Sequence, residues 1–362
     1  MKTIILAGGG HSHLSILKKM ASNSIPDTKW ILISSNKYQY YSGMFSGYIE
    51  GLYSIDDMRI DLSQLAKQAN CLFYDASISK IDATAKQVIT DDGQLFSYDY
   101  LSLDIGSHTN NPSINGLTQF QSSLKPAHHF PTHAKKLRDA ANVVIIGSGA
   151  AACEMVLSLQ AWKDRQNKKN GLISLIHSND LLGKNGKRTS QLATSIINKN
   201  KIQHYEYERA EEVTEHHVIT DKGKRIPYDE VVFLGGGSAP DMLKHSGLAV
   251  NKDGFLLVNS SLQSIDNPYV FGAGDCVSLV THPHLEKNGV HAVRQGPFLW
   301  DNLRAALMKT PFVNYSPQKK SMAILSTGNK EALLIYGKIA LQGKWAWRLK
   351  DRIDRKFIEK YK

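Results

Sequence analysis

Cysteine is scarce in this sequence. Its three copies, Cys71, Cys153 and Cys276, lie far apart with no Cys-x-x-Cys among them. That spacing excludes a disulfide framework and a thiolate zinc site. Histidine shows no clear metal-ligand pattern either: His282 and His284 flank a proline in a surface-type loop, and no metal is expected. No apolar run is long enough to span a bilayer, and no low-complexity tract interrupts the chain. Acids are in the minority, 33 Asp and Glu against 44 Lys and Arg, giving a formal charge of +11 and a pI near 9.3. The excess points to anionic partners: a dinucleotide, nucleic acid or an anionic membrane face. No reading helix or finger motif accompanies the charge, so nucleic acid is set aside. A first strand that begins at residue 3 leaves no room for a signal peptide, and the expected location is the cytoplasm, extending to the inner face of the membrane.

The 362 residues, 42% of them apolar, suffice for two or three domains. Lys2-Thr3-Ile4-Ile5-Leu6-Ala7 is an apolar run too short for a helix, and it enters Gly8-Gly9-Gly10-His11-Ser12-His13. A helical pattern follows from Leu14 to Met20. This is strand, tight turn, helix: Gly8 permits the turn, Gly10 lets a backbone approach a pyrophosphate, and the first helical amides face the phosphates. His13 stands where the third glycine belongs, which predicts a slightly wider gap between helix and strand. An acid usually ends the next strand and binds a ribose hydroxyl; after Trp30 to Ile33 the positions hold Ser34, Ser35 and Asn36 instead. The pattern recurs at Val143 to Ala152, where Gly147, Gly149 and Ala150 open a G-x-G-x-x-A turn ahead of a helix from Glu154 to Trp162. Two nucleotide folds imply two nucleotides. The strand Leu172 to His177 ends at His177, Ser178 and Asp180, a mixture that leaves NADH or NADPH undecided. Lys184, Lys187 and Arg188 either hold a 2′-phosphate or form a solvated loop.

Further motifs punctuate the chain. Tyr38 to Phe45 is an aromatic loop around Gly43, suited to covering a flat ring or to packing as core. Tyr98 to Ser107 is a strand ending at Gly106, and Tyr228 to Gly237 a strand running into Gly235, Gly236 and Gly237. Asn267 to Cys276 is a short strand that delivers Asp275 after Gly272 and Gly274, placed to accept hydrogen bonds from a polyol or to cap a helix. Lys344 to Ile358 reads as a basic amphipathic helix with Leu349, Ile353 and Phe357 every four residues. Such a helix lies on an anionic membrane, packs on its own domain or pairs with a second copy as a homodimer.

Gly8-Gly9-Gly10, Gly147-Ser148-Gly149-Ala150 and Gly272-Ala273-Gly274-Asp275, in that order, resemble the pyridine nucleotide-disulfide oxidoreductase superfamily. Within it, Gly8 to His13, Tyr41 to Met44, Ser102 to Ser107, Lys125-Pro126, Ala292 to Pro297 and Trp347 to Arg355 are similar to the NADH dehydrogenase-like branch often fused to selenide, water dikinase. The resemblance implies an α/β fold with two Rossmann-like dinucleotide-binding domains of three layers and a C-terminal cap. It divides the chain into an FAD-binding domain (1–115 and 256–310), an inserted NAD(P)H-binding domain (116–255) and a cap (311–362). FAD then falls to Gly8, Gly10, His11, Ser12, Ser35, Gly43, Gly106, Gly274, Asp275 and Arg294, and NAD(P)H to Gly147, Gly149, Ala150, His177 and Gly236. Lys125 stabilises charge on the reduced flavin or is a solvated loop lysine, and Gln295 is the residue expected beside the acceptor. The family's dithiol members carry Cys-x-x-x-x-C after the first helix; none stands here, so disulfide exchange is not expected. The implied activity is FAD-mediated oxidation of NAD(P)H by a quinone or another small oxidant. The rival readings are sulfide or selenium-compound chemistry, in which Cys153 would react, and a flavin redox sensor without turnover.

Overall fold

The computed structural model describes residues 1–110, 113–167, 171–318 and 320–362. Glycine turns cut the apolar runs short, and both faces of each run are covered, so they settle as strands of parallel sheets. The chain order is β1 (Lys2–Ala7), α1 (His11–Met20), β2 (Thr28–Ser34), β3 (Leu72–Asp75), β4 (Tyr100–Leu103), β5 (Val143–Ile146), α2 (Ala150–Arg165), β6 (Ile173–His177), α3 (Lys187–Lys199), β7 (Gln203–Glu206), β8 (Glu230–Phe233), β9 (Val270–Gly272), α4 (Gly289–Met308), β10 (Met322–Gly328), β11 (Glu331–Tyr336), β12 (Ile339–Gly343) and α5 (Lys344–Glu359). The first sheet runs β9-β4-β1-β2-β3 and the second β7-β6-β5-β8, with every neighbouring pair parallel. Ile4, Ile5, Leu6, Leu32, Leu101 and Leu103 are wholly buried in the first, as Val143, Ile145, Leu175 and Val232 are in the second.

The two halves repeat one plan. Each runs strand, glycine turn, helix and strand, then adds an antiparallel meander before its last strand. The meanders are Ile78–Asp82, Gln87–Thr90 and Leu95–Ser97 in the first half, and Ala210–Val213, His217–Thr220 and Arg225–Pro227 in the second. The turns at Asp91-Asp92-Gly93 and Asp221-Lys222-Gly223 use the left-handed conformation that glycine tolerates, at φ +82° and +75°. Just past β4 and β8 the connecting segments His108–Thr109 and Gly237–Ser238 pair with each other as a two-stranded ribbon. A further helix, Phe130–Asp139, leads into β5.

Residues 322–362 hold a three-stranded antiparallel sheet, β10-β11-β12, and α5, which runs close to the expected 344–358. Its buried line is not Leu349, Ile353 and Phe357. It is Ala346, Lys350, Asp354 and Ile358, while Ile353 is 41% exposed. The helix docks on its own chain through polar groups. Lys350 Nζ pairs with Asp354 Oδ2 at 2.7 Å and donates to the carbonyl of Gly43; Tyr41 Oη donates to Asp354 Oδ1 at 3.1 Å; Tyr53 Oη donates to Asp351 Oδ1 at 2.7 Å. The Phe357 ring stacks on Tyr41, 4.3 Å between centroids. Burial opposes the charge on Lys350, but Glu154 and Asp354 hold its pKa above the usual lysine value. Among the described residues no helix is long and apolar enough to cross a membrane.

Candidate active site

The first glycine turn is filled by the protein's own carboxylate. Asp104, the residue after β4, lies in a notch made by Gly8, Gly10 and Gly274. A Cβ on Gly10 would fall 2.3 Å from the Asp104 carboxyl, and one on Gly274 2.4 Å from its Oδ1. Asp104 Oδ2 accepts from the amides of Ser12 (2.7 Å) and His13 (3.2 Å), two of the open donors at the start of α1. Gly10 is therefore required by Asp104 as well as by any approaching phosphate. Burial pushes the Asp104 carboxyl up to about 7, against those two amide bonds. His13 lies beneath the turn. Its Nδ1 meets the Gly8 carbonyl at 2.6 Å and its Nε2 meets Ser102 Oγ at 2.8 Å, so the imidazole fills and bridges the gap that the missing glycine predicts. Burial drops His13 to about 4, which keeps it neutral.

Around this turn several polar groups converge. Asp275, on the late glycine turn, accepts from Ser107 Oγ at 3.4 Å, and Lys125 Nζ donates to the same Ser107 oxygen at 2.6 Å. Burial lowers the Lys125 pKa while Asp275 opposes the shift. Gly106, next to Ser107, has φ +71° and open space where a Cβ would be. His11 Nε2 is buried without a partner and faces Gly289; burial drops this imidazole to about 4. An orphaned ring nitrogen, a half-engaged carboxylate and a half-buried lysine around open backbone form a cradle for a polar ligand. The second turn is different. Gly149, Ala150 and Ala151 are exposed at the start of α2, and a Cβ on Gly149 would meet nothing within 4 Å. This N-terminus is free to receive a phosphate.

The family model for pyridine nucleotide-disulphide oxidoreductases matches residues 2–296. The chain belongs to that family. It is 22% identical over 288 residues to the NADH dehydrogenase-like protein YutJ of Bacillus subtilis, covering 78% of each chain, and 21% identical over 317 residues to an apoptosis-inducing factor homolog of Dictyostelium discoideum, covering 80% of this chain and 79% of that one. Its fold matches sulfide:quinone oxidoreductase of Aquifex aeolicus at TM-score 0.83 and 20% identity, over 100% and 91% of the two chains. It also matches NDH2 of Plasmodium falciparum, solved with NADH, at 0.81 and 13%, over 99% and 97%. The protein is thus an NAD(P)H-dependent flavoprotein oxidoreductase, using FAD and NAD(P)H.

Other expected residues fall into place within this flavoprotein. Ser12 is buried, its Oγ donating to Ala292 of α4 at 2.7 Å, which ties α1 to α4. Gly296 serves the same contact, since a Cβ there would lie 2.6 Å from Ser15. Gln295 is also buried, and its Oε1 accepts from the Gly274 amide at 2.7 Å; it holds the Asp275 turn. Gly43 lies under the Tyr41 ring and receives Lys350. Ser35 and Arg294 are exposed, the first at the end of β2 and the second on the outer side of α4. Gly236 has φ +106° and open space, beside the inter-half ribbon. His177 is buried, with Nδ1 2.9 Å from the Asn179 carbonyl and Nε2 3.3 Å from His204 Nδ1. Lys184, Lys187 and Arg188 are exposed at the start of α3. All three cysteines are buried, and burial raises each thiol to about 12. Asp104, Ser107 and Tyr41 carry the site as much as any residue singled out above. The one early sign of Asp104 was an acid directly after an otherwise buried strand.

Proposed function

We propose that this flavoprotein passes electrons from NAD(P)H to a diffusible small oxidant, with a quinone as the favoured class. Bound FAD supplies a ring that takes electrons from the nicotinamide and gives them to the acceptor. The residues that fit it are His11, Ser107, Lys125 and Asp275 around the Gly8 and Gly274 turns, with Ser35 at the end of β2. NAD(P)H is assigned to the open turn at Gly147, Gly149 and Ala150. Lys125 Nζ lies at a half-buried position near Asp275, where an ammonium favours an anionic partner. His11 and His13 stay neutral at pH 7 and so neither shed nor take up a proton there.

The observation that carries this reading is the burial of all three cysteines. A thiol raised to about 12 is almost wholly protonated at neutral pH and inert as a nucleophile. Cys153 lies against Leu157, Ala193 and Leu325 in an apolar cavity, and Cys276 against the Ala273 carbonyl. Sulfide or selenium chemistry through a protein thiol is disfavoured, and the electrons leave to an external acceptor. A quinone suits the outer surface of the cap. The register pairs Tyr336 with Ile339 and Leu334 with Leu341, so Met322, Tyr336, Ile339 and Leu341 share a face and are all at least 40% exposed. With the outward Trp345, Ile353 and basic residues of α5, this favours peripheral contact with an anionic membrane from the cytoplasmic side. The test is anaerobic reduction of the yellow protein by NADH and NADPH, followed by acceptor addition. Rapid bleaching and quinone-driven recovery support the proposal. A flavin that neither nucleotide reduces, but sulfide does, refutes it.

A further inference from the structure

The inserted nucleotide fold contains a cluster that the redox chemistry does not use. His177 ends β6; His204 and Glu206 lie on the neighbouring edge strand β7, with His177 level with Glu206 in the parallel register. Side chains alternate along a strand, so all three share one face. Their ligand-type atoms lie within 4.8 Å of one another, and this is the one such group of three among the described residues. The hydrogen bonds around them fix where the protons are. His177 Nδ1 meets the Asn179 carbonyl at 2.9 Å, and a carbonyl only accepts, so Nδ1 carries the hydrogen and Nε2 presents a lone pair. His204 Nε2 meets Asn198 Oδ1, from the end of α3, at 2.8 Å, so His204 Nδ1 also presents a lone pair. These two lone pairs face each other at 3.3 Å, and Glu206 Oε1 lies 3.4 Å from the same His204 nitrogen.

Three acceptors turned toward a common point need a cation there, either a proton or a metal ion. The distances favour the metal. Zinc bonds nitrogen and oxygen at about 2.0–2.1 Å, so the edge of its ligand tetrahedron is about 3.3–3.4 Å. We propose that His177 Nε2, His204 Nδ1 and Glu206 bind a divalent transition-metal ion, zinc in the first place, with water as its fourth ligand. The Asn179 carbonyl and the Asn198 amide are the outer partners that orient the two imidazoles, as metal-bound histidines require. Glu206 is 44% exposed, which gives the ion a route in. The metal pins the edge strand to the end of β6, and it commits His177 to the ion instead of to the adenosine ribose.

The test is titration of tag-free, FAD-loaded protein with Zn2+ against a chromophoric chelator, and with Co2+ read by its visible bands beyond the flavin absorption. One equivalent should bind, and cobalt should give the intense bands of a tetrahedral site. Asn198→Ala should weaken affinity roughly 10–100-fold, the usual cost of an outer partner; His204→Ala should weaken it further and abolish the cobalt bands. Glu206→Gln, at an exposed position, supplies a second ligand variant that keeps the fold and should also lose affinity. Protein that binds no zinc or cobalt at one equivalent, or that binds equally after His204→Ala and Glu206→Gln, overturns the site and leaves a shared proton in its place.

Discussion

Asp104→Asn measures what fills the first nucleotide turn. The wild-type carboxylate gains two charge-assisted bonds from the Ser12 and His13 amides, about 1.5–3 kcal/mol each, and up to about 1 kcal/mol from the helix dipole. Complete burial outweighs them, because taking a charge out of water costs several kcal/mol, and the group rises from an ordinary 3.8 to about 7. A raised folded-state pKa means that the stabilising contribution is complete below about pH 3.8 and is lost as pH climbs to about 7. That gap, at about 1.4 kcal/mol per pH unit, is worth about 4 kcal/mol as an upper figure. Asparagine keeps the volume and the accepting oxygen but cannot ionise. The variant should match the wild type near pH 4, gain on it from pH 4 to 7 and stay about 2–4 kcal/mol ahead above pH 7. Urea unfolding from pH 4 to 8.5, followed by tryptophan fluorescence and by flavin release, reads the difference. A variant less stable than wild type at pH 8 would show that the amide bonds to the carboxylate outweigh its burial, so that its folded-state pKa is not raised. The same logic extends to the cofactor. A diphosphate at α1 meets the Asp104 charge above pH 7, so wild-type FAD retention should weaken there and that of the variant should not.

Lys125→Met should leave FAD bound yet slow its reduction by NAD(P)H about 100-fold, the usual scale for a preorganised charge; an unchanged stopped-flow rate returns Lys125 to a solvent role. Cys153→Ser and Cys276→Ser should each retain NAD(P)H–quinone turnover, and the wild-type thiols should react with an aromatic disulfide only after unfolding. Lys350→Ala strands Asp354 beside Glu154 and should cost about 3–5 kcal/mol, whereas Lys350→Met with Asp354→Leu should recover most of it, as denaturation midpoints would show. Ile353→Glu with Trp345→Ala tests the outward side of α5 without uncovering the core, and unchanged sedimentation with anionic vesicles argues against membrane contact there.

Local patterns were legible because local physics sets them. Strands that enter Gly8 and Gly147 announce themselves, since a short apolar run followed by glycine has few other outcomes. What was not legible depends on pairs far apart in sequence. His13 looks like a damaged glycine motif until Ser102, 89 residues away, is seen bonded to it. The α5 stripe was misplaced by one position because Lys350 and Asp354 read as solvent-facing charges; they are buried as a pair under Tyr41 and Gly43. His177 ends the strand where a ribose-reading residue is expected, and only the fold brings His204 beside it.

The contrast between the two turns bears on how the protein must work. The first is hemmed in: Asp104 occupies its notch, α4 is tied to it through Ser12 and Gly296, and α5 packs Phe357 against His11 and Tyr41. The second is open, with Gly149 to Ala151 exposed at the start of a 16-residue helix. An oxidoreductase that keeps one nucleotide through many cycles and exchanges the other in each needs this asymmetry, and it follows from two residue choices at equivalent places: Asp104 after β4, where the second half has Leu234 after β8.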